Sequence, residues 1–298
     1  MKKFFKVLGV IALLIVVYSL FQGLLTGLAM VVFVVYAIIA GKIDVNAIAT
    51  YGDAQAFMEN PVMEGYVTDA MAWGLFLSAI NMLLFIHLTR LFRLRMSIFG
   101  SIARRPLVFS TFLVFTSMFA LNIFVQWFPL EDMLTDQFEG LTHTLLGAFT
   151  ISVLAPVLEE VMFRGAIQGY MMRRFRRPWL AIVVAGLVFG IFHMNPVQVV
   201  YASLLGIIFG WIYYRTRSLL SVIVGHVLNN TIATITMLFF ADTSEAELIG
   251  ENFSPVTETA MEVMMFLGFA AVSVLLAIKL HRMLPPVQVP WSDACDGE

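Results

Sequence analysis

Three runs of residues carry groups that are expensive where they lie. The first is Leu158-Glu159-Glu160-Val161-Met162-Phe163-Arg164-Gly165, two adjacent carboxylates and a guanidinium inside an apolar stretch. The second is His193, four residues after Phe189, and the third is His226 with Asn229 and Asn230. Ionisable side chains at bilayer depth are costly, so they are rare and mark either function or mutual pairing. On a helix, Glu160 and Arg164 are i and i+4 and share a face, whereas Glu159 is turned about 100° away. His226 and Asn230 are also i and i+4, so both can point into one cavity. One glutamate can then face that cavity while its neighbour holds the arginine. A lone intramembrane His or Asn is more often an interhelical hydrogen-bond partner. A Glu-Glu pair, two histidines and an asparagine on three separate segments exceed what helix packing needs. Catalysis and proton-coupled transport are the two chemistries open to such a set.

The elements that must hold these groups are read from composition. The chain has 298 residues, 60% of them hydrophobic and 13% charged, and a mean hydropathy of +0.89. Soluble domains carry about a quarter charged residues, so water is not the solvent for most of this surface. Disorder is excluded by the hydrophobicity, and a disulfide scaffold by the single cysteine, Cys295. Eighteen Lys+Arg against 20 Asp+Glu leave a net charge of -2, which argues against nucleic acid as a partner. Eight segments approach or exceed the ~20 apolar residues that a spanning helix needs: 4–40, 70–92, 107–128, 141–172, 179–195, 197–214, 219–241 and 261–281. The expected fold is all-α and polytopic, with about eight transmembrane helices around an intramembrane polar cavity. Residues 1–298 form a single transmembrane domain, with membrane lipid as its surroundings. Segment 4–40 would be roughly 55 Å long as one helix, so it is either one long tilted helix or two short ones broken near Gln22-Gly23. A cleaved signal peptide is disfavoured, because no small-x-small site precedes a polar start.

Charge placement sets the expected topology. All Lys and Arg except Lys42 and Arg164 lie at the start of segment one, between segments two and three, four and five, or six and seven, or at the end of segment eight. The intervening loops are acidic. Basic ends mark the cytoplasmic side, so an inner (cell) membrane protein with both termini in the cytoplasm is expected. Cys295 stands fourth from the end, but Asp296 and Gly297 are not the aliphatic pair of a prenylation box.

Glu159-Glu160-x-x-x-Arg164, Phe189-x-x-x-His193 and His226-x-x-x-Asn230, in this order, resemble the three motifs of the CPBP family. These are the type II CaaX prenyl endopeptidases with the bacteriocin-processing and Abi proteins. The resemblance covers residues 159–230 and implies a catalytic core at about 141–241. It implies an intramembrane endopeptidase acting on a membrane-associated protein or peptide. In that reading Glu159 is the general base for a water and His193 holds the same water. His226 and Asn230 donate to the oxyanion, and Glu160 with Arg164 gives structural support. Two versions of the site stay open. Glu159, His193 and His226 make a His₂Glu zinc site, or the water is activated without metal, so that no cofactor is needed. The second is favoured, because asparagine is an uncommon zinc ligand and no second-shell carboxylate is evident for either histidine. Counting residues back to the nearest basic ends places the site in the cytoplasmic half of the bilayer, open to the cytoplasm. The rival reading is a non-proteolytic protein on the same scaffold, either a proton-coupled transporter or an immunity-type factor.

Overall fold

In lipid every backbone N–H and C=O must find a partner within the chain, and a helix meets that demand locally. The computed structural model describes residues 2–43, 61–91, 103–175, 177–240 and 255–287. Among these residues there are helices and no strand: α1 (Lys2–Ile39), α2 (Pro61–Leu88), α3 (Arg104–Gln126), α4 (Thr135–Thr142), α5 (Leu145–Arg174), α6 (Pro178–Phe192), α7 (Pro196–Thr216), α8 (Leu220–Phe240) and α9 (Pro255–Met283). Seven of them, all but α4 and α6, are long and apolar enough to cross a membrane. The chain is an all-α polytopic membrane protein.

Segment 4–40 forms one unbroken helix of 38 residues, α1, with no interruption at Gln22-Gly23. A break there would expose unpaired backbone groups to lipid, which costs more than a glycine in a helix. The expected span 179–195 is shorter than its sequence suggested. α6 has 15 residues, ~22 Å at 1.5 Å per residue, against a hydrocarbon core of ~30 Å. It stops because Met194 takes a left-handed φ of +52° and Asn195 is extended. The chain between α3 and α4 meets this short helix. The Asn195 amide donates to Asp132 Oδ1 at 2.9 Å and its oxygen accepts from the Met133 N–H at 3.2 Å.

α1 packs on α2, α6 on α7 and α3 on α9, and α5 threads between them, touching α1, α2, α6, α7 and α8. Glycines bring α6 and α7 close. A Cβ on Gly186 would meet the Ile207 backbone nitrogen at 2.8 Å, and one on Gly206 would meet Phe189 at 2.9 Å. Small residues at such seams let dispersion and polar contacts hold helices in lipid, where burial of apolar surface gives no advantage. The outer faces are correspondingly apolar and exposed, as at Leu24, Leu28, Leu267 and Leu275.

α5 is not a regular α-helix. Thr150–Leu154 and Glu160–Gln168 wind as wider, π-helical turns. Pro156 accounts for the first. A proline inside a helix lacks an N–H, and its ring clashes with the carbonyl four residues earlier. The turn before it opens, and the Ala155 N–H bonds to the Thr150 carbonyl, five residues back. The second wide turn carries the Glu160–Arg164 motif, and every residue from Glu160 to Gln168 is buried. Wide turns of this kind occur often at functional sites.

Candidate active site

Three helices bring the sequence-selected residues to one place. Glu159 comes from the middle of α5, His193 follows the last residue of α6, and His226 and Asn230 lie on α8. All four line one cavity of about 360 Å³. Glu160 and Arg164 do not line it and are fully buried behind it. Adjacent positions on α5 thus separate the two carboxylates as their angular offset requires. The Glu159 side chain keeps 14% exposure toward the cavity, whereas that of Glu160 keeps none.

Glu160 holds two partners at once. Its Oε2 pairs with Arg164 Nε at 3.1 Å, and its Oε1 accepts from His226 Nδ1 at 2.8 Å. The carboxylate behind His226 was not evident from the sequence, which assigned Glu160 to Arg164 alone. It orients the ring so that Nε2 faces Glu159 Oε2 at 3.5 Å. Phe209 and Phe189 flank the ring, with centroids at 5.0 and 5.7 Å. The Arg164 guanidinium lies 4.5 Å from the Phe189 ring centroid and donates from Nη2 to the Gly206 carbonyl at 3.1 Å. One turn on, Gln168 Nε2 donates to the Gly210 carbonyl at 2.8 Å. Glu160, Arg164 and Gln168 therefore fasten α5 to α7 and α8 behind the cavity.

His193 is fixed from its own helix, with Nδ1 2.8 Å from the Phe189 carbonyl. The fourth-residue spacing of Phe189 and His193 has this physical content, and it leaves Nε2 as the outward nitrogen. Asn230 is held through both ends of its amide. Its Nδ2 donates to the Ile151 carbonyl at 3.0 Å, and its Oδ1 accepts from Asn229 Nδ2 at 3.0 Å. Asn229 Oδ1 in turn accepts from the Tyr201 hydroxyl at 2.6 Å. Ile151 is open to Asn230 because Ala155 bonds elsewhere and Pro156 has no N–H to give. One N–H of the Asn230 amide remains beyond the Ile151 bond.

Several cavity residues were missed by the sequence reading. Tyr18 and Gln22 of α1, Tyr201 of α7 and Thr150 of α5 all line it. Tyr18 and Gln22 are i and i+4 in an otherwise apolar helix, and that spacing was the available signal. Tyr18 also stacks on Phe192 at 5.5 Å.

A three-ligand zinc site would need Glu159, His193 and His226 drawn together around one point. Among the described residues no three His, Cys, Asp or Glu side chains are so gathered. Glu159 Oε2 and His226 Nε2 face each other at 3.5 Å. The Glu160–His226 bond is of the kind that supports metal-bound histidines.

The cavity also has a direction. On α5, α6 and α7 its lining residues, such as Thr150, Met194 and Gln198, come from the half of each helix away from its arginines. On α8 they run from His226 to Met237, and Phe138 of α4 closes the set. The sequence-based depth count pointed to the opposite end. It measured distance from the basic ends and had to assume that the α5–α6 hairpin projects beyond the membrane surface.

Residues 141–232 match the family model described as type II CAAX prenyl endopeptidase Rce1-like. Over 87 residues the chain is 29% identical to a Bacillus subtilis (strain 168) protein named "Putative membrane peptidase YdiL". That stretch is 29% of this chain and 35% of the relative, so the match spans about a third of the relative's length. No solved structure matches.

Proposed function

From the match of residues 141–232 to the Rce1-like family model, we propose that the chain is an intramembrane endopeptidase in which Glu159 activates a water without metal. The observation that carries this reading is the pair of Glu159 Oε2 and His226 Nε2 at 3.5 Å, inside a cavity that His193 and Asn230 also line. A water there has a carboxylate to take its proton and an imidazole to hold it. Glu159 removes that proton as the water oxygen attacks the scissile carbonyl. The remaining Asn230 N–H donates to the oxyanion, beside the His226 ring that Glu160 holds in place. The proton on Glu159 then passes to the leaving amide nitrogen, which departs as an amine, and the carboxylate is regenerated. Glu160 keeps the His226 ring in place throughout, and Arg164 balances its charge.

The test compares membranes containing the intact protein with membranes containing Glu159→Gln. The amide keeps the shape and cannot accept a proton, so cleavage products should vanish while the protein's thermal stability holds. Cleavage by Glu159→Gln at the normal rate would defeat the proposal. Chelation should leave cleavage unchanged. Activity lost on chelation and regained with stoichiometric zinc would recast Glu159 as a ligand.

A further inference from the structure

Five of the seven described spanning helices, α2, α3, α5, α7 and α9, carry charge of one sign at a given end. α2 begins with Glu64 and Asp69 and is followed by Arg90. α9 begins with Glu258 and Glu262 and ends with Lys279 and Arg282. α3 begins with Arg104 and Arg105 and leads to Glu131 and Asp132. α5 ends at Arg173 and Arg174, and α7 at Arg215 and Arg217. The chain ends therefore sort into a basic end and an acidic end of one bundle. Aromatic residues mark the two levels, with Trp179 exposed at the basic end and Trp127 at the acidic end, where its Nε1 donates to Glu262 at 3.2 Å. Basic ends face the cytoplasm.

The cavity belongs to the acidic end. His193 is two residues from Asn195, which is hydrogen-bonded to Asp132 and to the Met133 backbone on the acidic connection. Met194 between them lines the cavity and is 82% exposed. Toward the basic end the cavity stops at a filled layer, since Glu160, Arg164 and Gln168 are all fully buried. We infer that the cavity is entered from the acidic, non-cytoplasmic face. The scissile segment is then an outward-facing stretch of a membrane-anchored chain, not a prenylated cytoplasmic tail. The substrate half of this inference rests on the peptidase reading, and the entrance half does not.

The test uses the full chain with Cys295→Ser and single cysteines at three sites: Met194→Cys, Ala233→Cys and Arg177→Cys. Intact cells carrying each variant are treated with a membrane-impermeant maleimide, before and after lysis. Met194→Cys and Ala233→Cys should react fully in intact cells, and Arg177→Cys only after lysis. Reaction of Arg177→Cys in intact cells, with the other two silent until lysis, would overturn the inference. So would a Met194→Cys and an Ala233→Cys that react on neither side. Ala233 lines the same cavity from α8, so a fold defect at one position does not decide the result. Outward labelling with no loss of cleavage products in Glu159→Gln would remove the peptidase and leave the entrance standing.

Discussion

At the residue scale, the site divides into groups that face the cavity and groups that hold them. Glu159, His193, His226 and Asn230 face it, while Glu160 holds His226, the Phe189 carbonyl holds His193, and Asn229 with Tyr201 holds Asn230. The last chain makes a graded prediction. Asn230→Ala removes the proposed oxyanion donor and should lower kcat about a hundredfold or more. Tyr201→Phe deletes one hydrogen bond two steps behind it. That is worth about 1 kcal/mol, so kcat should fall up to about tenfold with KM unchanged. A Tyr201→Phe enzyme that changes only KM would make Tyr201 a substrate contact instead of a positioning residue. The six motif residues were legible in the sequence because each is an ionisable or amide group in an apolar run. Tyr201 was not, since a tyrosine in a spanning helix is unremarkable until its hydroxyl is seen to meet Asn229.

At the element scale, what the sequence hid was backbone. Hydropathy reports how long a helix is, and it located the spans of α3, α7 and α8 to within a few residues. It carries no sign of a wide turn, because a π-helical segment has the same composition as an α-helical one. Pro156 was the one local clue, and its consequence, a carbonyl at Ile151 left for Asn230, required coordinates. The element can be tested through that proline. Pro156→Ala restores an N–H that competes for the carbonyls Asn230 and its neighbours use. Proline costs about 3 kcal/mol relative to alanine in a helix interior, so thermal stability should hold or rise. Turnover should fall as Asn230 loses its anchor. A variant that is both more stable and fully active would show that the wide turn before Pro156 does not serve the site. α6 teaches the complementary point. The expected span 179–195 ran three residues past the end of this 15-residue helix, through His193, Met194 and Asn195.

At the scale of the whole molecule, the two readings of the buried charges differ in connectivity. A proton-coupled transporter needs a titratable path that reaches both faces in turn, whereas a peptidase needs one entrance and a closed floor. The cavity runs from Phe138 and Met237 to the Glu159–His226 layer. Behind it the polar residues continue as Glu160, Arg164 and Gln168, each at zero exposure. On the peptidase reading that ladder, whose Gln168 amide has no proton to lose, is a floor and not a proton path. Its role is mechanical, fastening α5 to α7 through the Gly206 and Gly210 carbonyls. The purified protein in liposomes with an imposed pH gradient should therefore collapse the gradient no faster than protein-free vesicles. A leak present in the intact protein and abolished by Glu159→Gln would reverse the assignment, making Glu159 the carrier in a transport path. Arg164→Met provides the internal control. It removes the cation from a buried pair, which costs about 3–5 kcal/mol, so it should destabilise the protein without opening a proton leak. If it opens one, Arg164 is a gate and the floor of the cavity is the second half of a channel.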